Sequence, residues 1–235
     1  MITRAWHRTL GAWLIIPSIL GCIYHPAAVQ WYLLSLAVYI SIAITITSGY
    51  HRLFNHNSYQ CSRVWHYVFG LIGSASLNSC PVHWSSTHTA HHKFSDTDRD
   101  PYDSTFGHFL RLRDRTDIVP TKNEIRMLKD PLHKFLMNYS LALSIAVGLS
   151  MLVCGFDIFL VGYALPVSAY LVTSGLHTIF AHSTSGPRNL NALEAIIPMA
   201  GEWLHLYHHQ HPGASQFANG VDLGGYVIKV IRNDQ

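Results

Sequence analysis

Charge is what this 235-residue chain has least of: 12% of its residues are Asp, Glu, Lys or Arg, about half the ~25% usual in a soluble globular domain. That shortage excludes an ordinary soluble protein. Cysteine is scarce as well. Cys22, Cys61, Cys80 and Cys154 lie far apart with no CxxC pair, which argues against a disulfide framework or a zinc finger and fits reduced thiols facing a cytoplasm. No low-complexity tract or internal repeat is present, and a composition that is 49% hydrophobic excludes disorder. A net charge of +3 is too small for a nucleic-acid binder. Histidine is what abounds: 17 residues, more than the 16 Lys and Arg or the 13 Asp and Glu.

No charged residue lies between Arg8 and Arg52. Two spans fit there, at about 10–24 and 27–48, broken at His25-Pro26; the second approaches the ~20 residues that cross ~30 Å of hydrocarbon. From Phe135 to Pro187 the only formal charge is Asp157. Gly155-Phe156-Asp157 reads as the turn between a third span at about 139–154 and a fourth at about 158–180. The apolar stretch from Val64 to Pro81 reads instead as an interfacial or cytoplasmic helix, because it carries His66, several Ser, Asn78 and two Gly. Two basic residues precede the first span, eleven lie between Arg52 and Lys134 and three follow Pro187, with none in the two short turns. The positive-inside rule makes their common side cytoplasmic. The expected fold is an all-α integral membrane protein of one domain: four transmembrane helices, both termini cytoplasmic, and a cytoplasmic helical cap from 51–134 and 182–235.

Three histidine clusters fall beside span ends: His51-Arg-Leu-Phe-Asn-His56, His88-Thr-Ala-His91-His92 and His205-Leu-Tyr-His208-His209. Offsets of three and four residues put three imidazoles on one helical face, which is metal-ligand spacing. A five-residue offset turns ~140° around a regular helix, so His51 and His56 would serve two neighbouring metals rather than one. Isolated histidines such as His25, His66, His83, His133 and His211 read as caps, ion-pair partners or solvated side chains. An all-imidazole set suits iron, copper, zinc or nickel, not calcium or magnesium.

The segments HRLFNH (51–56), WSSTHTAHHKFSDTDRDPYD (84–103) and GEWLHLYHHQHP (201–212) resemble the three histidine boxes of the membrane-bound fatty acyl desaturases, specifically the stearoyl-CoA (delta-9) desaturase-like group, over about Thr47 to Pro212. The resemblance implies a diiron centre and O2 as co-substrate. His51, His88, His92 and His208 would hold one iron, and His56, His91, His177, His205 and His209 the other. Here His177 stands in Thr173-Ser-Gly-Leu-His177, where the family has Asn-Ser-x-x-His. Thr173 thus replaces an Asn that holds a water at one iron. Ligand histidines need a partner on their second ring nitrogen, and Asp96, Asp100 and Glu202 are the candidates, ahead of Asp98 and Asp103. Thr89 and Tyr102 replace an Arg and a His of the family pattern and should change surface rather than chemistry. Ser86 stands where animal acyl-CoA enzymes carry an arginine that contacts CoA, which leaves acyl-lipid or acyl-carrier-protein substrates open beside acyl-CoA.

The implied activity is O2-dependent insertion of a cis double bond, at the delta-9 position, into a saturated acyl chain in a bacterial inner membrane or an ER-type membrane. Electrons would come from a separate cytochrome b5 or ferredoxin, docking at Arg111, Arg113, Arg115, Lys122, Arg126 and Lys129, whose charge also suits lipid headgroups. Hydroxylation or ketolation of a lipid or alkane on the same site is the close alternative. A bis-histidine haem protein would need facing histidines within the spans, where only His177 and His182 lie near the end of one. A metal transporter would need ionisable groups at membrane depth, and Asp157 lies in a turn. The segment Asp222–Ile231 looks like the terminal amphipathic segment of bacterial members, so a complete chain is expected.

Overall fold

The computed structural model describes residues 6–102, 120–183, 186–191, 200–217 and 221–234. Among them three helices are long and apolar enough to cross a membrane: Val29–Asn55, Pro131–Cys154 and Phe156–Ala181, of 27, 24 and 26 residues. At ~1.5 Å per residue each exceeds the ~30 Å hydrocarbon thickness. The fourth apolar helix, Arg8–Tyr24, is shorter. Leu, Ile and Val side chains stay exposed along Arg8–Tyr24, Val29–Asn55 and Pro131–Cys154, as a lipid-facing surface requires, whereas Phe156–Ala181 is more enclosed and exposes Phe156 and Phe180. Among the described residues the other regular elements are shorter helices and a two-stranded antiparallel hairpin, His182–Ser183 with Gly186–Pro187. The four cysteines are free thiols.

Local chemistry sets the helix ends. Pro131 opens its helix well before the apolar run at Tyr139, with Asp130 accepting from the Leu132 amide at 2.8 Å. That helix closes at Gly155, whose φ of 147° is open to glycine, and the next begins at Phe156. Arg63–Ala75 is a helix of 13 residues, too short to span. The second histidine cluster lies on Pro81–Phe94, which has proline in its first turn. The third lies on His205–Gln210.

The departure from regular helix that matters most lies in Val29–Asn55. After Ile44 the chain continues as a π-helix from Thr45 to Asn55, all eleven residues buried. Its bonding runs from i to i+5, and the His56 amide extends the pattern to the His51 carbonyl at 3.1 Å.

Tyr50 locks this segment against Arg63–Ala75. Its fully buried hydroxyl lies 3.0 Å from Ser74 Oγ, 3.1 Å from the Ser79 carbonyl and 3.3 Å from the Gly70 carbonyl. A Cβ on Gly73 would stand 2.5 Å from the Tyr50 ring, and a ring held at its tip cannot yield. Gly73→Ala should therefore cost about 1–3 kcal/mol, read as a lower unfolding midpoint in detergent. Gly213→Ala, where a Cβ meets nothing within 4 Å, is the control that should not move.

Candidate metal centre

Imidazoles from all three clusters converge in two groups. His51, His56, His88, His92 and His208 form one, and His91, His182, His205 and His209 the other, with the ligand-capable atoms of each group lying within 4.8 Å of one another. In the first, His208 Nε2 lies 2.9 Å from His51 Nε2 and 2.8 Å from His92 Nε2, which is 3.0 Å from His88 Nε2. In the second, His205 Nε2 lies 2.8 Å from His182 Nε2 and 3.0 Å from His209 Nε2.

Hydrogen bonding cannot account for these contacts. A ring nitrogen has one in-plane site, holding either a proton or a lone pair, yet His208, His92 and His205 each meet two other nitrogens through the same Nε2. A shared cation satisfies every lone pair at once. Two nitrogens bound at ~2.0–2.1 Å and at right angles about one ion stand about 2.9 Å apart, which matches the spacing found. The donor set therefore fits two transition-metal ions.

Carboxylates fix the ring tautomers, as assigned from the hydrogen-bond network. Nδ1 of His51 meets Glu202 at 2.9 Å, that of His91 meets Asp100 at 2.9 Å and that of His182 meets Asp96 at 3.1 Å. Each acid accepts at Nδ1 and leaves the Nε2 lone pair for the centre. Burial, reinforced by the neighbouring rings, pushes His88, His205 and His208 well below the ordinary histidine value, His209 to about 3 and His56 to about 2. Neutral imidazoles, ready to bind metal, are the result. Burial pushes the Glu202 carboxyl up, but His51, Arg52 and the Thr47 hydroxyl together hold it down at about 2, so it stays ionised.

Several placements differ from the sequence reading. His56 joins His51 in one group, their ring centroids 5.0 Å apart, because the π-helix brings i and i+5 round to one face where a regular helix would separate them. His177 lies in neither group. Its Nε2 donates to the Glu202 carbonyl at 2.9 Å, and His182, treated in the sequence only as a weak haem candidate, stands in the second group. Thr173 turns its hydroxyl to Tyr39 at 2.7 Å and to the Ala169 carbonyl rather than to the histidines. Thr89 is a half-buried link rather than a surface change: with Ser85 it donates to Asn55 Oδ1, at 2.9 and 2.8 Å. Tyr102 lies beside the His91 ring. His25, His66, His133 and His211 pack against aromatic rings outside both groups. Asp103, Arg111, Arg113 and Arg115 lie outside the described residues.

A cavity reaches both groups, touching His51 and His88 of one and His91, His182 and His205 of the other. Ala12, Ala43, Ile46 and Leu171 form apolar wall, and among the described residues Arg8 is the one Lys or Arg lining it. Arg52 is the residue that sequence reasoning passed over. Buried beside the first group, it pairs through both terminal nitrogens with Asp222, at 2.7 and 2.9 Å, and its guanidinium lies 3.8 Å over the Phe217 ring. The one signal for it was an arginine inside an otherwise uncharged helix.

No protein-family model matches the chain. It is 30% identical over 203 residues to the sn-1 stearoyl-lipid 9-desaturase of Anabaena variabilis, covering 78% of this chain and 74% of that protein. Against an acyl-CoA 5-desaturase of Anemone leveillei it is 28% identical over 252 residues, covering 97% and 78%. Against the delta-9 acyl-lipid desaturase 1 of Arabidopsis thaliana it is 25% identical over 233 residues, covering 89% and 75%.

Proposed function

The chain belongs to the fatty acyl desaturase family, an oxidoreductase family, and from that premise we propose that it is an O2-dependent desaturase placing a cis delta-9 double bond in a saturated acyl chain. The observation that carries this reading is the pair of all-imidazole groups opening on one cavity with apolar walls. Iron bound at both groups would supply the oxidising power to take two hydrogens from adjacent methylenes; those hydrogens, O2, two electrons from an outside donor and two protons from solvent would leave as two waters. Histidines 51, 56, 88, 92 and 208 serve one iron, and 91, 205 and 209 form the common part of the other.

The protein's own part is to orient and to exclude. Glu202 and Asp100 aim the rings of His51 and His91 by holding Nδ1. The walls at Ala43, Ile46 and Leu171 keep the chain out of water, where each exposed CH2 would cost ~0.8 kcal/mol. Arg8, whose Nη2 reaches Ser174 Oγ at 3.4 Å, offers a positive charge at the cavity for an anionic headgroup. An acyl-lipid substrate suits the site better than acyl-CoA. Ser86, at the position of the CoA-contacting arginine, is buried and donates to the Val82 carbonyl at 3.0 Å, so it cannot meet a headgroup.

In this reading Arg8–Tyr24 is a fourth span beside the three longer ones, both termini and the histidine groups face the cytoplasm, and exposed Lys122, Arg126 and Lys129 receive a separate cytochrome b5 or ferredoxin. Expression in a host without a desaturase of its own, supplied with either donor, tests it. Methyl esters of total lipid should contain a new delta-9 monoene, labelled acyl chains should become unsaturated while esterified to glycerolipid, and a hydroxy or keto acid in its place would overturn the reading.

A further inference from the structure

Two histidines five residues apart, His177 and His182, compete for the last place at the second metal. We infer that His182 is the ligand, and that His177 is a positioning residue holding the backbone of Glu202. The assignment rests on the two-metal reading above and refines it.

The two rings present opposite faces. His182 Nε2 points into the second group, 2.8 Å from His205 Nε2, while Asp96 covers its Nδ1 with both oxygens, at 3.1 and 3.2 Å. That is the arrangement of His51 on Glu202 and of His91 on Asp100: acid outside, lone pair inside. In His177 the order is reversed. Its Nε2 meets the Glu202 carbonyl, which can only accept, so the proton sits on Nε2. The ring is spent on a main-chain group rather than aimed at the centre.

The backbone explains how His182 reaches the site. The last long helix ends at Ala181, and His182 leaves it at φ −119°, ψ 147°, an extended conformation pinned by antiparallel pairing with Pro187. Continued as regular helix, a residue five positions past His177 would point ~140° away from it; the switch to extended chain turns the ring inward instead. Asp96 is prepared to receive it. At φ 61° it occupies the left-handed region that Asp tolerates better than most residues, and its amide donates to Asp100 Oδ2 at 3.0 Å. One acidic turn thus braces two rings of the same group, His91 and His182.

Glu202 shows what His177 does. Its carbonyl accepts from His177 while its side chain holds His51 of the first group, so His177 acts on that group through the backbone of Glu202.

Metal content of purified protein, with iron and zinc counted per chain by mass spectrometry, separates the two roles without recourse to activity. The wild type should hold two ions. His182→Ala should hold one, and His182→Gly should regain the second when imidazole is added. Asp96→Asn, which leaves all ligands in place, should weaken only the second ion, by about 10–100-fold. His177→Gln, whose amide can donate to the same carbonyl, should keep both. Loss of an ion in His177→Gln, or two ions retained in both His182→Ala and Asp96→Asn, overturns the assignment while leaving the two-metal reading intact. A wild type without two ions overturns both.

Discussion

His208→Ala should abolish the new monoene, with product down at least 100-fold, and remove one metal ion per chain. His208 is the residue through which the first group closes: its Nε2 meets those of His51 and His92 at 2.9 and 2.8 Å, joining the first and second clusters to the third. Its buried ring is held neutral by burial and by the rings around it, so it offers a lone pair across the physiological range. Alanine deletes that donor and leaves a gap bordered by the Phe217 ring, 5.5 Å from the imidazole. The comparison is His211→Ala, three residues on, where an exposed ring lies tilted against Tyr207. That variant should keep both ions and its product. A monoene formed at wild-type level by His208→Ala would end the proposal that this group carries the chemistry.

Asp222→Ala should destabilise the protein by about 3–5 kcal/mol, the cost of breaking a buried ion pair by removing one member. Arg52 is 1% exposed and Asp222 4%. Asp222 Oδ2 takes Nη1 at 2.7 Å and Oδ1 takes Nη2 at 2.9 Å, and the same carboxylate accepts from the amides of Phe217 and Gly225 at 2.9 and 2.8 Å. Two further acceptors, the Ser215 carbonyl and Thr47 Oγ1, meet the same terminal nitrogens, while Nε has no hydrogen-bond partner among the described residues. Removing the acid therefore frees the cap of Leu223–Ile231, leaves Arg52 with only the more distant Glu202, 3.7 Å away, as an acidic partner, and loosens the Phe217 ring that Arg52 covers. The unfolding midpoint in detergent should fall sharply and metal content with it, since Phe217 stands against both His51 and His208. The double variant Arg52→Met, Asp222→Leu should recover part of the loss, because an apolar pair of similar volume replaces the broken ion pair, while Glu202 loses the Arg52 charge 3.7 Å away. A single variant as stable as the wild type would show that the pair does not hold the carboxy-terminal segment.

Much of this was legible without coordinates. Apolar runs and the scarcity of charge mark the long helices, since a membrane demands length and composition that few soluble segments have. Gly155 marks the break between two of them because only glycine enters that φ readily. The HxxHH clusters announce metal because offsets of three and four are local properties of any helix, and Asp96, Asp100 and Glu202 were legible as partners from their nearness to those clusters in the chain.

Tertiary structure decided the rest. That His51 and His56 share a group depends on eleven residues of π-helix, a backbone state stabilised by packing around Tyr50 rather than by any local propensity. That His182 turns inward while His177 turns to Glu202 depends on where a helix stops and a short hairpin begins. Arg52 and Asp222 meet across 170 residues of sequence. Periodicity specifies what each segment can be, because it reflects only neighbours along the chain. Which ring nitrogens gather in one group, and which acid stands behind His51, His91 and His182, follows from pairings between distant segments whose register only the packed protein sets.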